Sequence, residues 1–136
     1  MKLEGFLSNS YQTELNIDGF DYIVDREIEK GGKNEGTSPH GYLLGSIAGC
    51  KIMVAKGYLT RNDHAFDRIE VHAESDIKGK PRAERIDITV ELIIYGADLT
   101  EKDRAHLFRI VEKGCPMANI LTAGGENKVI TKIIIK

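Results

Sequence analysis

Hydrophobic and polar positions alternate along two short stretches near the start of the chain, as they do in β-strands with one covered face. The two stretches span residues 11–17 and 20–24, and Asp18-Gly19 separates them. Asp-Gly between two alternating runs is a strong hairpin signal, because the turn needs positive φ values. The pattern therefore predicts a β-hairpin that turns at residues 18–19. Its alternating positions are Tyr11, Thr13, Leu15, Ile17, Phe20, Tyr22 and Val24.

A glycine-rich segment at residues 30–38 separates the hairpin from a long helix. The segment lacks the Gly-Lys-Ser/Thr ending of a phosphate-binding loop, so we interpret it as a flexible connector or the rim of an active site. The helix is predicted to begin near Pro39, with Ser38 as its N-cap. Apolar residues cover most of its circumference, and only lysines such as Lys51 interrupt them. This pattern indicates a buried helix.

Three glycines lie inside this helix, at positions 41, 45 and 49. A glycine in a helix interior costs about 1 kcal/mol relative to alanine. Glycine also lets a second backbone come close. We therefore expect another backbone to pack against this helix.

The second half of the chain is predicted to contain two strands, two helices and a last strand. Alternating apolar residues place the strands around residues 69–73 and 86–94, with a turn region at Gly79-Lys80-Pro81 between them. Thr100 caps the next helix and Gly114 ends it; Cys115-Pro116 starts a short helix that Gly124-Gly125 closes. Residues 128–135 are apolar on both faces, which predicts a buried strand. Segregated strands and helices indicate an α+β fold, and we interpret residues 1–136 as one domain.

Composition narrows the classes of function. The chain has 136 residues, of which 41% are hydrophobic, and a formal net charge of -2. Without a basic excess, we expect neither nucleic acid nor an anionic membrane as a partner. The N-terminal residues carry no long apolar stretch, and no run approaches the roughly 18 apolar residues of a transmembrane helix. We therefore expect a cytoplasmic protein, in which two cysteines normally stay reduced.

The two cysteines are the candidates for chemistry, because a thiolate is a nucleophile. Cys115 stands before a proline at the start of a helix, where free amides and the helix dipole favour an anion. Cys50 lies mid-helix on an apolar face, where burial alone disfavours the thiolate. Its candidate partners are Arg26, His40 and the polar groups of residues 30–38. A buried cysteine is more often a small core residue, so spacing alone leaves a structural role open.

Other kinds of site have little support in the sequence. The four histidines are scattered, and neither cysteine shows a CxxC or similar ligand spacing. Ser46 lacks the pattern of a hydrolase nucleophile. We therefore expect no metal ion and no bound cofactor. The histidines are His40, His64, His72 and His106, of which we expect His64 and His106 at the surface.

Two segments carry a family resemblance. The first is G-T-S-P-H-G-Y-L-L-G-S-I-A-G-C at residues 36–50, and the second is C-P-M-A-N-I-L at residues 115–121. They resemble the OsmC/Ohr superfamily of osmotically inducible and organic hydroperoxide resistance proteins, in its less characterised OsmC-like branch. The order of strands and helices matches as well, so the resemblance covers nearly the whole chain. It implies antiparallel sheets around a long buried helix, in an intertwined homodimer with its active sites at the subunit interface.

The resemblance also implies a chemistry. Cys50 would be the peroxidatic nucleophile, and Cys115 would resolve its sulfenic acid as a disulfide. The substrates would be organic hydroperoxides, and an external dithiol, for example of the lipoyl type, would return the electrons. The protein would then be an antioxidant oxidoreductase of the stress response.

The chain departs from the family at one position of the site. Peroxidases of this family carry a glutamate in the first turn of the long helix, which orients an arginine onto the reactive thiolate. Here His40 and Gly41 stand where that acid is expected. Arg26, the only arginine before residue 61, is the candidate activator, with Glu27 or Glu35 as a substitute acid. We assign His40 and Glu35 to the rim of the site.

Two functions therefore stay open. The first is a thiol-dependent peroxidase acting through Cys50, Cys115 and Arg26. The second is a non-peroxidatic OsmC-like protein, which binds a small apolar or electrophilic ligand or senses redox state. The missing acid motivates the second hypothesis.

Overall fold

The computed structural model describes residues 1–7 and 10–136. Two compact units are present, residues 1–43 and residues 44–136. The interpretation of residues 1–136 as one domain remains a prediction. No helix in the described part of the chain is long and apolar enough to cross a membrane.

The first unit is built on an antiparallel sheet in the order β1 (Leu3–Leu7), β2 (Thr13–Ile17), β3 (Phe20–Val24). Ile17 pairs with Phe20, so the turn between β2 and β3 consists of Asp18 and Gly19 alone. Their φ angles are 49° and 92°, in the left-handed region that this tight turn requires. The predicted hairpin is confirmed, including its turn residues.

The glycine-rich segment after β3 is folded back on the strand and does not form a free connector. Val24 pairs with Thr37 in an isolated parallel bridge, and the Asp25 N–H donates to the Thr37 carbonyl at 3.0 Å. A short 3₁₀ turn covers Ile28–Lys30. The flexible-connector interpretation is therefore wrong for this segment, because its backbone groups are bonded to the end of β3.

The long helix α1 (Pro39–Arg61) begins at the predicted residue. The Gly41 N–H donates to Ser38 Oγ at 3.2 Å, as expected for an N-cap. The expected close backbone is found at neither Gly45 nor Gly49, where an added Cβ would meet no atom of the described residues within 4 Å. Along its length α1 is buried only in part, since Met53 is 73% exposed.

The second unit carries a sheet in the order β4 (Arg68–Lys78), β5 (Arg85–Tyr95), β6 (Lys128–Ile135). β4 and β5 are antiparallel, whereas β5 and β6 are parallel. The helices α2 (Glu101–Lys113) and α3 (Pro116–Thr122) both contact β6. The core of this unit combines buried residues of α1, β5, α2 and α3, which include Ile47, Leu59, Ile88, Val90, Leu92, Leu107, Val111 and Cys115. The architecture is the predicted α+β fold, with antiparallel strand pairs and a long helix.

Helix α2 shows how local sequence positions the site. Thr100 accepts from the Asp103 N–H at 3.2 Å, and the Asp103 carboxylate accepts from the Thr100 N–H at 3.1 Å. This reciprocal capping box confirms the predicted start of the helix. The Gly114 N–H donates to the Ile110 carbonyl at 2.7 Å and closes the helix just before Cys115.

Strand β6 is half exposed, which contradicts the prediction of a strand buried on both faces. Thr131 is buried, whereas Ile130 is 53% exposed. Successive side chains of a strand point to opposite faces of the sheet, and here Val129 and Ile133 face the core. The prediction failed because an apolar sequence does not reveal whether both faces of a strand are covered.

Candidate active site

The two cysteines meet in the second unit. Cys50 lies in the middle of α1 and is half-buried, while Cys115 is fully buried. Their side chains lie close enough for Cys50 to affect the ionisation of Cys115, and both are free thiols. In the sequence the two cysteines are separated by more than half the length of the second unit, and the fold brings them together.

Cys115 owes its position to the junction between α2 and α3. It is the N-cap of α3, with an extended backbone, and Pro116 occupies the first helical position. The Ala118 N–H donates to Cys115 Sγ at 3.4 Å. The Gly-Cys-Pro sequence therefore ends one helix and starts the next, as the sequence indicated, and the thiol at this junction is buried in the core.

The ionisation of Cys115 differs from the sequence-based expectation. Burial raises the pKa of the Cys115 thiol, and the hydrogen bond to Cys50 raises it further. The Ala118 N–H and the charge of Lys51 lower it, but they do not outweigh burial. The Ala118 N–H at the helix start favours the anion as expected, but desolvation outweighs it. Cys115 is held as a neutral thiol beside Cys50.

A charged residue that sequence reasoning missed lies beside this pair. Lys51 is fully buried. Its Nζ donates to the Val111 carbonyl at 3.2 Å and lies 3.6 Å from Glu112 Oε2, both in the last turns of α2. The signal in the sequence was a lysine directly after Cys50 on a helix that is otherwise apolar. In the apolar pattern this lysine is only an interruption.

The first unit holds the candidate activator and both candidate rim residues. The Arg26 guanidinium lies 4.8 Å from the centroid of the Tyr11 ring. Glu35 Oε2 accepts from Gln12 Nε2 at 2.6 Å. Glu27 forms an exposed ion pair with Lys30 at 3.4 Å. The roles of Arg26 and Glu35 beside Cys50 remain predictions.

A buried carboxylate that the sequence analysis did not single out organises the loop around Arg26. Asp25 accepts from the backbone N–H groups of Arg26 at 2.8 Å, Lys33 at 3.2 Å and Glu35 at 3.1 Å, and from Gln12 Nε2 at 3.3 Å. Burial by itself raises the pKa of Asp25, but these hydrogen bonds outweigh it and hold the pKa below its ordinary value. The carboxylate thereby fixes the backbone that carries both Arg26 and Glu35.

The first turn of α1 has no acidic residue. His40 is half-buried there. At Gly41, an added Cβ would overlap Thr37 Oγ1 and lie 3.1 Å from Thr37 Cβ. A side chain at position 41 therefore requires Thr37 to move, which disfavours an acid at one of the two aligned positions.

Metal ligation has no support in the described residues, among which no group of three or more His, Cys, Asp or Glu side chains is placed to hold an ion. His64 Nε2 lies 3.7 Å from Asp103 Oδ1. His106 packs edge-on against Tyr58, with ring centroids 5.2 Å apart. Each of these contacts involves a residue of α2, and neither involves a cysteine.

Comparison with known proteins agrees with this architecture. A family model described as OsmC-like protein matches residues 32–129, which include both cysteines. The chain belongs to the OsmC-like family. Among curated proteins, none gives a significant match.

Several solved structures share the OsmC-like fold. An OsmC-like protein from Mycoplasma pneumoniae is 16% identical, with a TM-score of 0.79, over 98% of this chain and 95% of that one. An organic hydroperoxide resistance protein OsmC from Legionella pneumophila is 14% identical, with a TM-score of 0.73, over 98% and 95%. An organic hydroperoxide resistance protein from Elizabethkingia anophelis, with thiocyanate bound, is 16% identical, with a TM-score of 0.74, over 98% and 94%. At these identities the similarity shows the fold.

The geometry of this OsmC-like chain is suited to thiol chemistry. One thiol is half-buried and the other is fully buried next to it. Two neighbouring thiols can pass to a disulfide when one of them is oxidised to a sulfenic acid. Closeness of the two thiols is one requirement of such a reversible two-electron reaction.

Proposed function

We propose that this OsmC-like protein is a thiol-dependent peroxidase that reduces organic hydroperoxides. The observation that carries the proposal is the closeness of a half-buried Cys50 to a buried Cys115. Cys50 is the nucleophile, because a peroxide can approach it more easily than the fully buried thiol. The membership of the family, which includes proteins named for organic hydroperoxide resistance, supports the same choice.

The proposed reaction has three steps. The Cys50 thiolate attacks the distal oxygen of the hydroperoxide, the O–O bond breaks, and the alcohol leaves after it takes up a proton. Cys50 is now a sulfenic acid. Cys115 then attacks the Cys50 sulfur, an S–S bond forms, and the hydroxyl leaves as water with the Cys115 proton.

The third step restores the two thiols. An external dithiol attacks the disulfide through a mixed disulfide and leaves as its own cyclic disulfide, so that it supplies both electrons. No bound cofactor takes part in this cycle. Reduced thiols at rest fit a cytoplasmic location.

Arg26 is the proposed electrostatic activator of Cys50. An arginine beside a cysteine favours the thiolate. The loop that carries Arg26 is fixed by the hydrogen bonds to Asp25, which would limit the entropy lost when the guanidinium is positioned. Glu35, bonded to Gln12, and His40 would line the rim of the same site.

The experiment is the consumption of cumene hydroperoxide with dihydrolipoic acid as the reductant. We expect turnover by the wild type, none by Cys50→Ser, and a single turnover without disulfide formation by Cys115→Ser. His72→Ala is a suitable control, because this exposed residue lies on β4 outside the thiol pair. Turnover that survives Cys50→Ser would overturn the assignment of the nucleophile.

One observation favours a second function, that of a non-peroxidatic protein that binds a small ligand or senses redox state. The first turn of α1 carries no acid, and Thr37 fills the space at Gly41. Under this alternative, the purified protein would consume no hydroperoxide, although Cys50 would still react with a small electrophile such as iodoacetamide.

We also propose that the protein is a homodimer. On the first unit alone, several large apolar side chains are more than half exposed: Leu3, Phe6, Leu7, Tyr11 and Phe20. Exposed apolar patches of this kind mark interfaces, and the family resemblance names a second copy of the chain as the partner. Sedimentation velocity should give twice the chain mass. A monomer at micromolar concentration would contradict the proposal.

A further inference from the structure

Lys51 is an unusual residue to find in the core of this protein. Lysine is almost never fully buried unless it is paired, because the ammonium loses its hydration. Here it is 0% exposed and follows Cys50 directly in α1. The proposed peroxidase reaction gives it no role so far.

The partners of Lys51 all lie at the end of α2. Nζ donates to the Val111 carbonyl at 3.2 Å, and Glu112 Oε2 is 3.6 Å away. The last carbonyls of a helix carry partial negative charge, so a cation is favourable there. Lys51 therefore joins the turn of α1 that bears Cys50 to the segment that leads into Cys115.

The same ammonium acts on Cys115 itself. It lies close enough to lower the pKa of the Cys115 thiol, against the burial that raises it. The other titratable groups near Lys51 and Cys115 are Cys50 and Glu112. Helix α3 has no titratable side chain. Lys51 is therefore the one basic group that the described contacts bring to this thiol.

We propose that Lys51 is a positioning residue for the resolving thiol, and that its charge stabilises Cys115 as a thiolate when the disulfide forms and when it is reduced. The inference rests on the proposed peroxidase function. In the forming step, Cys115 gives up its proton and its sulfur attacks the Cys50 sulfenic acid, so that water leaves. In the reducing step, an external thiolate attacks the more exposed Cys50 sulfur, and Cys115 leaves as the thiolate.

The kinetic consequence separates Lys51 from a structural residue. The positive charge of Lys51 lowers the pKa of the Cys115 thiol, although it is the smallest of the influences named for that thiol. One pKa unit corresponds to about tenfold in thiolate population, so we expect Lys51→Met to slow conversion of sulfenic acid to disulfide by a few-fold, and by less than about tenfold, near neutral pH. Lys51→Arg should keep most of the rate, since it keeps the charge. Lys56→Met, an exposed lysine of the same helix, is the matched control and should leave the rate unchanged.

The test that does not depend on peroxidase activity is an NMR titration of ¹³Cβ-labelled Cys115 in a Cys50→Ser protein. We expect Cys115 to ionise at higher pH in Lys51→Met than in the parent, and at the parent's pH in Lys51→Arg and Lys56→Met. Lys51→Gln separates charge from anchoring, because it can still donate to the Val111 carbonyl without carrying a charge. It should behave like Lys51→Met.

Two outcomes would overturn the inference. In the first, Cys115 ionises at the same pH whatever the charge at position 51. In the second, Cys115 ionises in Lys51→Gln at the same pH as it does with lysine at that position. If Lys51→Met does not fold, as judged by circular dichroism, the Gln and Arg variants decide. If the protein consumes no hydroperoxide but Cys115 still ionises at a higher pH in Lys51→Met, the proposed function is refuted and the electrostatic coupling between Lys51 and Cys115 stands.

Discussion

Gly41→Ala tests whether the first turn of α1 excludes a side chain. The added Cβ would overlap Thr37 Oγ1 and lie 3.1 Å from Thr37 Cβ and 3.2 Å from Thr37 Cγ2. Rotation of the Thr37 side chain cannot relieve the contact with its Cβ. The backbone of Thr37 is itself held, because its carbonyl accepts from the Asp25 N–H at 3.0 Å. Some part of this turn must therefore move.

The expected change in the free energy of unfolding follows from two opposing effects. Alanine is favoured over glycine in a helix by up to about 1 kcal/mol. Overpacking of a fixed contact costs about 1–3 kcal/mol. The net expectation for Gly41→Ala is a loss of about 1 kcal/mol in the free energy of unfolding, measured by urea denaturation at equilibrium.

A double-mutant cycle isolates the contact. Thr37→Gly removes Cβ, Oγ1 and Cγ2, so Gly41→Ala should become neutral or stabilising in that background, with a coupling of at least about 0.5 kcal/mol. If Gly41→Ala stabilises the protein equally with Thr37 present or absent, the steric argument is wrong. In that case position 41 would be free to carry the missing acid.

Three further substitutions test the fold and its electrostatics. The folded state lowers the pKa of Asp25, so the contribution of this carboxylate to stability is present above the unfolded pKa of 3.8 and is lost as the pH falls through the lower folded pKa. In urea unfolding, the difference in stability between wild type and Asp25→Asn should therefore narrow below about pH 4, and a constant difference would contradict this. Thr100→Ala should destabilise by about 1 kcal/mol through loss of the capping box, whereas Thr60→Ala, at an exposed site inside α1, should not. Leu107→Ala should lower the free energy of unfolding by about 2–5 kcal/mol because it leaves a cavity, and this loss should clearly exceed that of Phe108→Ala, whose side chain is 45% exposed. Equal losses would refute the assigned core face of α2.

Features set by neighbouring residues could be predicted from the sequence. The Asp18-Gly19 turn, the Thr100 cap and the Cys115-Pro116 helix start all appear where expected. Each depends on backbone preferences of a few adjacent residues, which one sequence displays. Apolar periodicity likewise located the long helix, whose first residue is Pro39 as predicted.

Features that depend on distant parts of the chain were missed. The burial of Lys51 depends on the end of α2, sixty residues away at Val111. Two of the four bonds to Asp25, those from Lys33 and Glu35, depend on how residues 33–35 return to it. The neutral state of Cys115 depends on the core around it, because desolvation outweighs a helix start that the sequence does show. None of these contacts leaves a periodic trace along the chain.

The central claim is that Cys50 and Cys115 form one redox pair driven by a hydroperoxide. The most direct measurement treats the reduced protein with a single equivalent of cumene hydroperoxide and follows both the cumyl alcohol produced and the protein thiols, by mass spectrometry of peptides. We predict stoichiometric alcohol and a Cys50–Cys115 disulfide, with a trapped Cys50 sulfenic acid in Cys115→Ser. Unchanged thiols on a folded protein, with the hydroperoxide intact, would contradict the claim.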